Sequence, residues 1–169
     1  ILIQYTDILC LHYQIEKNYV QKSWENFGEY LEKAFLEKTE KGEQMLFTIF
    51  TPSYNRAKLL GRVYSSLLVQ SCKDFEWIVV DDGSHDETQS VMRKYIMEDK
   101  IPIKYIQQNN HGKHSAHNEA LKHSSGKWFI CVDSDDVLSV NALYDISLQL
   151  HKTTKEDCGL VGYKVDFHN

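Results

Sequence analysis

Residues 75–84, Phe75-Glu76-Trp77-Ile78-Val79-Val80-Asp81-Asp82-Gly83-Ser84, join an apolar run to an abrupt polar stop. A short unbroken run of this kind, rich in β-branched side chains, suits a strand buried on both faces, as in a parallel sheet. The run ends on Asp81 and Asp82, so at least one carboxylate is delivered to the edge of the sheet. Ser84 and Glu87 have the spacing of a capping box, which predicts a helix carrying Val91, Met92, Tyr95 and Ile96. Working outward, comparable runs at 46–50, 103–106, 128–132 and 160–165 predict further strands, and helical patterns fill the gaps. Leu60, Val63, Leu67 and Leu68 make one apolar stripe; a helix over 115–123 stops near Gly126; another over 139–151 turns Leu143, Ile146 and Leu150 inward. Repeated β-α units predict an α/β fold, with a mostly parallel sheet flanked by helices.

The chain has 169 residues, room for one compact domain but not two. With 42% hydrophobic and 25% charged residues it can build a core. A net charge of -5 argues against a phosphate-backbone binder, so nucleic acid is not an expected partner. Cys10, Cys72, Cys131 and Cys158 lack the paired spacing of a zinc knuckle and read as thiols in a reducing compartment, which places the chain in the cytoplasm. The opening ILIQYTDILCLHY lacks a basic start and is too short to cross a bilayer. Composition changes near Met45. Before it, Trp24, Phe27, Leu31, Ala34 and Phe35 follow the spacing of an amphipathic helix. Two readings of residues 1–44 stand side by side. One is a native helical extension, whose Trp24 and Phe35 face a second copy could cover to make a homodimer. The other is upstream sequence translated ahead of a natural start at Met45, because codons for Lys41-Gly42-Glu43-Gln44 can spell a purine-rich ribosome-binding site.

Open parallel sheets bind ligands at the carboxyl ends of their strands, and the polar clusters of this chain fall there. They are Thr51-Pro52-Ser53-Tyr54-Asn55-Arg56, then Asp81-Asp82-Gly83-Ser84, then Asn109-Asn110-His111-Gly112-Lys113-His114, and finally Asp133-Ser134-Asp135-Asp136. The last holds three carboxylates in four residues, with no Lys or Arg nearer in sequence than Lys127 and Lys152. Such like charges oppose one another's ionisation unless a cation neutralises them, and Mg²⁺ or Mn²⁺ with oxygen ligands fits. The alternative is that Asp135 or Asp136 caps the following helix while the others stay solvated. Asp81 is the choice for accepting hydrogen bonds from a base or ribose, with Asp82 left to an Asx turn beside Gly83. Tyr54 offers a face for a nucleobase, and Arg56 and Lys113 offer charge for phosphate, although each type also serves as core plug or solvated cation. The histidines 111, 114, 117 and 123 show no zinc-protease pattern; there is no Walker A loop and no GxGxxG.

The ordered set TPSYNR, VDDGS, NHGKHSAHNEAL and GKWFICVDSDD resembles family 2 glycosyltransferases of the GT-A (Rossmann-like) fold. The resemblance runs from Leu46 to the end, which makes 45–169 a nucleotide-sugar-binding domain. It implies a nucleotide-diphosphate sugar donor, usually a UDP-sugar, touched by Thr51, Pro52, Tyr54, Arg56, Asp81, Lys113, Asp133 and Ser134. It also implies a metal-dependent, inverting transfer to a glycan or lipid-linked acceptor, with Asp135 the first metal ligand and Asp133 and Asp136 beside it. Lys113-His114 depart from the second glycine and small residue that many relatives carry. The catalytic base of the family comes from downstream of the acidic motif. Here Asp145, Glu156, Asp157 and Asp166 have no context that recommends them, so the chain reads as C-terminally truncated and its base as unassigned. Either it is a piece of a transferase that works in polysaccharide biosynthesis in the cytoplasm or at the inner face of the membrane, or it is a nucleotide-binding fragment without catalysis.

Overall fold

The computed structural model describes residues 45–150, together with the backbone pairing of Leu2–Ile3 and Val165–Asp166. In chain order the strands are β1 (Leu2–Ile3), β2 (Phe47–Ser53), β3 (Phe75–Asp81), β4 (Ile103–Gln107), β5 (Trp128–Cys131), β6 (Val137–Leu138) and β7 (Val165–Asp166). The helices are α1 (Ala57–Leu68), α2 (Thr88–Glu98), α3 (Lys113–His123) and α4 (Ala142–Leu150). The main sheet has the order β4-β3-β2-β5 and every pair in it is parallel. Its register aligns Ser53 with Asp81 and Asp81 with Gln107, so the strand ends form one rim.

The burial pattern follows from position in the sheet. β3 is central and buried at every residue, while β4 at the edge is not. Side chains alternate between two faces. Phe47, Ile49, Phe75, Trp77 and Val79 pack with Leu60, Val63, Leu67 and Met92 in the larger core. Phe50, Ile78 and Val80 meet Ala116 and Ala120 on the opposite face. Those two alanines, four apart on α3, let the helix lie close to the sheet.

Several local expectations shift. Strand β2 runs on through Thr51, Pro52 and Ser53, α3 begins at Lys113, and α4 begins only at Ala142. The Ser84–Glu87 capping box does not form. Helix α2 starts after Glu87 without a side-chain cap from that residue, because Ser84 is engaged with the neighbouring loop. Asp86 instead accepts from the Thr88 amide at 3.0 Å and the Thr88 hydroxyl at 2.5 Å. The strand expected over 160–165 is described only at Val165–Asp166. It pairs antiparallel with β1, which pairs parallel with β6 in a separate small sheet. The helix expected around Trp24–Phe35 lies outside the described residues. Among the described residues no helix is long and apolar enough to cross a membrane.

Candidate functional site

Strand order places the site. From β2 the chain moves outward through β3 to β4, then returns to the other side of β2 as β5. β2 and β5 are adjacent strands at the point where the order reverses, so the loops that follow them are neighbours at the carboxyl ends, the usual ligand position of an open parallel sheet. The segment Tyr54-Asn55-Arg56 stands on one side of this switch point and Asp133-Ser134-Asp135-Asp136 on the other.

The loops are tied to one another before any ligand arrives. Asn55, in the left-handed region at φ 53, donates its amide to Ser84 Oγ at 2.8 Å and accepts the His85 amide on Oδ1 at 2.8 Å. Asparagine tolerates this backbone conformation better than most side chains do. Helix α1 has Arg56 at its N-cap and no cap bond from it. Asp86 Oδ2, from the next loop, accepts the Ala57 amide at 3.0 Å. One carboxylate thus serves the starts of two helices, and the bonds it accepts outweigh the opposing effect of burial and hold it below the ordinary carboxylate range.

Asp81 and Asp82 divide their work. Asp82, 6% exposed, accepts Gln108 Nε2 at 2.7 Å and the His111 amide at 2.8 Å on Oδ1, and the Gly112 amide at 2.8 Å on Oδ2. Burial alone would push this carboxyl up, but these bonds bring it down. Asp82 thereby seats the turn that launches α3. Asp82→Asn should cost about 2 kcal/mol, because one oxygen becomes a donor facing an amide. Urea unfolding and faster amide exchange at His111 and Gly112 would register it; exchange as slow as in the wild type would show that the turn stands without the carboxylate. Asp81 is fully buried. It accepts the Ser84 amide at 2.8 Å, the Tyr105 hydroxyl at 2.5 Å and, more loosely, Gln107 Nε2 at 3.4 Å.

Residues 133–136 form a tight turn closed by the Asp136 amide donating to the Asp133 carbonyl at 3.0 Å. Lys113, the first residue of α3, grips Asp133 with its ammonium 2.6 Å from Oδ1 and 2.8 Å from Oδ2. Asp135 is exposed and Asp136 half-buried. Burial, then the charges of Asp135 and Asp133, push the Asp136 carboxyl up. Among the described residues no three His, Cys, Asp or Glu side chains make a metal-holding group by themselves. Mg²⁺ commonly takes only one or two carboxylates and completes its shell with water and substrate phosphate. The turn fits such a partial site, since it crowds carboxylates that a cation would relieve.

The other expected site residues are placed unevenly. Tyr54 and Arg56 are exposed at the rim, Pro52 is half-buried, and Ser134 is buried within the acidic turn. Thr51 is fully buried below the rim, its hydroxyl accepting from the Trp77 indole at 3.0 Å. His117 packs edge-on against Phe50 and Phe129. Sequence reasoning missed Tyr105 and Gln107. Their alternation on β4 was the available signal, because it puts both on the Asp81 face once the register is known.

The Glycosyl transferase family 2 model matches residues 48–168. The chain is 33% identical over 103 residues to the poly(ribitol-phosphate) beta-N-acetylglucosaminyltransferase TarS of Staphylococcus aureus, covering 60% of this chain and 18% of that protein. The crystal structure of S. aureus TarS in complex with UDP superposes with a TM-score of 0.60 at 34% identity, over 64% of this chain and 32% of that one. The mannosyltransferase PcManGT of Pyrobaculum calidifontis, in complex with GDP-Man and Mn²⁺, gives 0.52 at 28% identity, over 56% and 28% of the two chains. The chain thus spans about a fifth of the length of the curated relative. A parallel sheet with its polar loops on one rim, and a family match across most of its residues, make this chain a member of glycosyltransferase family 2 with the GT-A fold.

Proposed function

We propose that the switch-point rim binds a UDP-sugar together with Mg²⁺ or Mn²⁺, as the donor half of an inverting transferase that acts on a glycan or lipid-linked acceptor. The observation that carries this reading is the meeting, at one rim, of the loops that follow the adjacent strands β2 and β5, with an exposed aromatic ring and arginine on one loop and the acidic turn on the other. The UDP complex of TarS and the GDP-Man and Mn²⁺ complex of the archaeal mannosyltransferase support it. Tyr54 stacks on the base and Arg56 meets phosphate. Asp81 accepts from the base after the loosely held Gln107 amide gives way. Asp135 is the first ligand for the cation, with Asp133 and Asp136 at hand. A bound cation would offset the charge that builds on the leaving diphosphate. The acceptor hydroxyl is deprotonated by a carboxylate outside the described residues. The exposed thiol of Cys131, outside any disulfide, favours a reducing, cytoplasmic setting.

Calorimetric titration of UDP, GDP and dTDP, each with and without Mn²⁺, tests this. Wild type should bind UDP best, and Mn²⁺ should tighten it. Asp135→Asn should weaken Mn²⁺-supported UDP binding about ten-fold, the scale of one lost charged contact, and leave metal-free binding nearly unchanged. Indifference of the wild type to all three diphosphates would end the reading.

A further inference from the structure

We propose that Lys113 is a resident counter-ion for Asp133 that the donor's diphosphate, and not the metal, draws away, so that nucleotide binding opens the acidic turn to the cation. This rests on the donor-site reading above. Two residues that both belong to that site are bonded to each other here, with the ammonium bridging both carboxylate oxygens of Asp133. A cation approaching the turn must therefore compete with Lys113 for one of its three carboxylates.

The pair is built to be exchanged. Both side chains are partly open to solvent, 59% exposed for Lys113 and 43% for Asp133, and an exposed ion pair contributes at most about a factor of five to an equilibrium. The backbone of Lys113 is held firmly, because Asp82 accepts the amides of His111 and Gly112 immediately before it. Gly112 takes φ 87 to set the entry into α3, where few other residues would sit without strain. A fixed backbone with a long exposed side chain lets the ammonium swing while its origin stays put. A lysine in the first turn of a helix also opposes the helix dipole. Asp133 offsets that conflict in the free protein, and a diphosphate, with more charge to offer, offsets it better.

The consequence is a coupling that can be measured by binding alone. A lysine that merely stood nearby would weaken Mn²⁺ binding equally with and without nucleotide. A lysine that leaves Asp133 for the diphosphate weakens it only when nucleotide is absent, and linkage makes the difference reciprocal. Mn²⁺ affinity should be read by electron paramagnetic resonance of the free ion, with and without saturating UDP, for wild type, Lys113→Met and Lys113→Arg. Without UDP, Lys113→Met should bind Mn²⁺ roughly five-fold tighter than wild type; with UDP the two should agree within about two-fold. The factor by which UDP strengthens Mn²⁺ binding should thus fall about five-fold in Lys113→Met and return in Lys113→Arg. Equal tightening with and without UDP, or none in either state, would overturn the proposal while leaving the donor site intact. A wild type that takes up no Mn²⁺ even with UDP would overturn both. Coincident thermal melting of the three proteins certifies that the comparison is between folded forms.

Discussion

Replacing Gly126 by alanine is expected to cost about 3 kcal/mol or more, at the severe end for a single methyl group. A Cβ at this position would lie 2.3 Å from the Thr48 amide nitrogen and 2.4 Å from the Phe47 carbonyl carbon. Both atoms belong to β2, which has paired neighbours on each side and cannot retreat without breaking a ladder to β3 or β5. The Gly126 amide also donates to Thr48 Oγ1 at 2.8 Å, a bond that any retreat would lose. Urea unfolding of Gly126→Ala should show a lower midpoint with an unchanged slope; a midpoint equal to that of the wild type would mean that the loop before β5 can move freely away. The contact lies at the amino end of the strands. UDP affinity of the folded fraction should therefore be preserved.

Removing Glu76 should be comparably damaging, about 3 to 5 kcal/mol for Glu76→Ala, because its partners would be left buried and unpaired. Its side chain is only 3% exposed. Oε1 accepts the Thr48 hydroxyl at 2.7 Å and the Ser125 amide at 2.6 Å, while Oε2 pairs with Lys104 at 2.8 Å. Lys104 continues to the His123 carbonyl at 2.9 Å, so one carboxylate ties three strands to the end of α3. Burial pushes this carboxyl up, but the bonds from Lys104, Thr48 and Ser125 together win and bring it down to about 2. A depressed carboxylate contributes stability that is complete above its ordinary value, near 4.5, and is lost as pH falls through the folded value. Wild type should therefore lose about 3 kcal/mol between roughly pH 4.5 and 2 from this group alone. Glu76→Gln, already weakened at pH 7, should show a flatter profile over that window. An acid limb as steep in the variant as in the wild type would assign the loss to other groups. Glu76 and Gly126 both act through Thr48, so the double variant should cost less than the two single losses together.

Neither prediction was within reach of a linear reading. Glu76 stands in the strand segment that decided the fold, yet as a sequence symbol it is one polar residue in an apolar run. Its partners come from 28 and 49 positions away. Gly126 reads as a helix terminator, and only the pairing of β5 beside β2 reveals that it also clears space for a backbone. The capping box at Ser84 fits the sequence rule and fails because Asn55, from another loop, claims the serine hydroxyl. Tyr105 and Gln107 carry no motif at all and become neighbours of Asp81 through register.

Legible in the linear order are the four strands of the main sheet, the helices that follow them and the rim on which the polar clusters lie; the short strands β1 and β6 are not. Apolar runs, helical periodicity and turn residues act over a few positions, and a parallel β-α chain must put the ends of its strands on one side. Packing in three dimensions sets the order β4-β3-β2-β5, the division of labour between Asp81 and Asp82, the shared cap supplied by Asp86 and the grip of Lys113 on Asp133. Each joins loops separated by at least 20 positions. The free energies of such contacts depend on distance and burial, which a linear pattern does not contain.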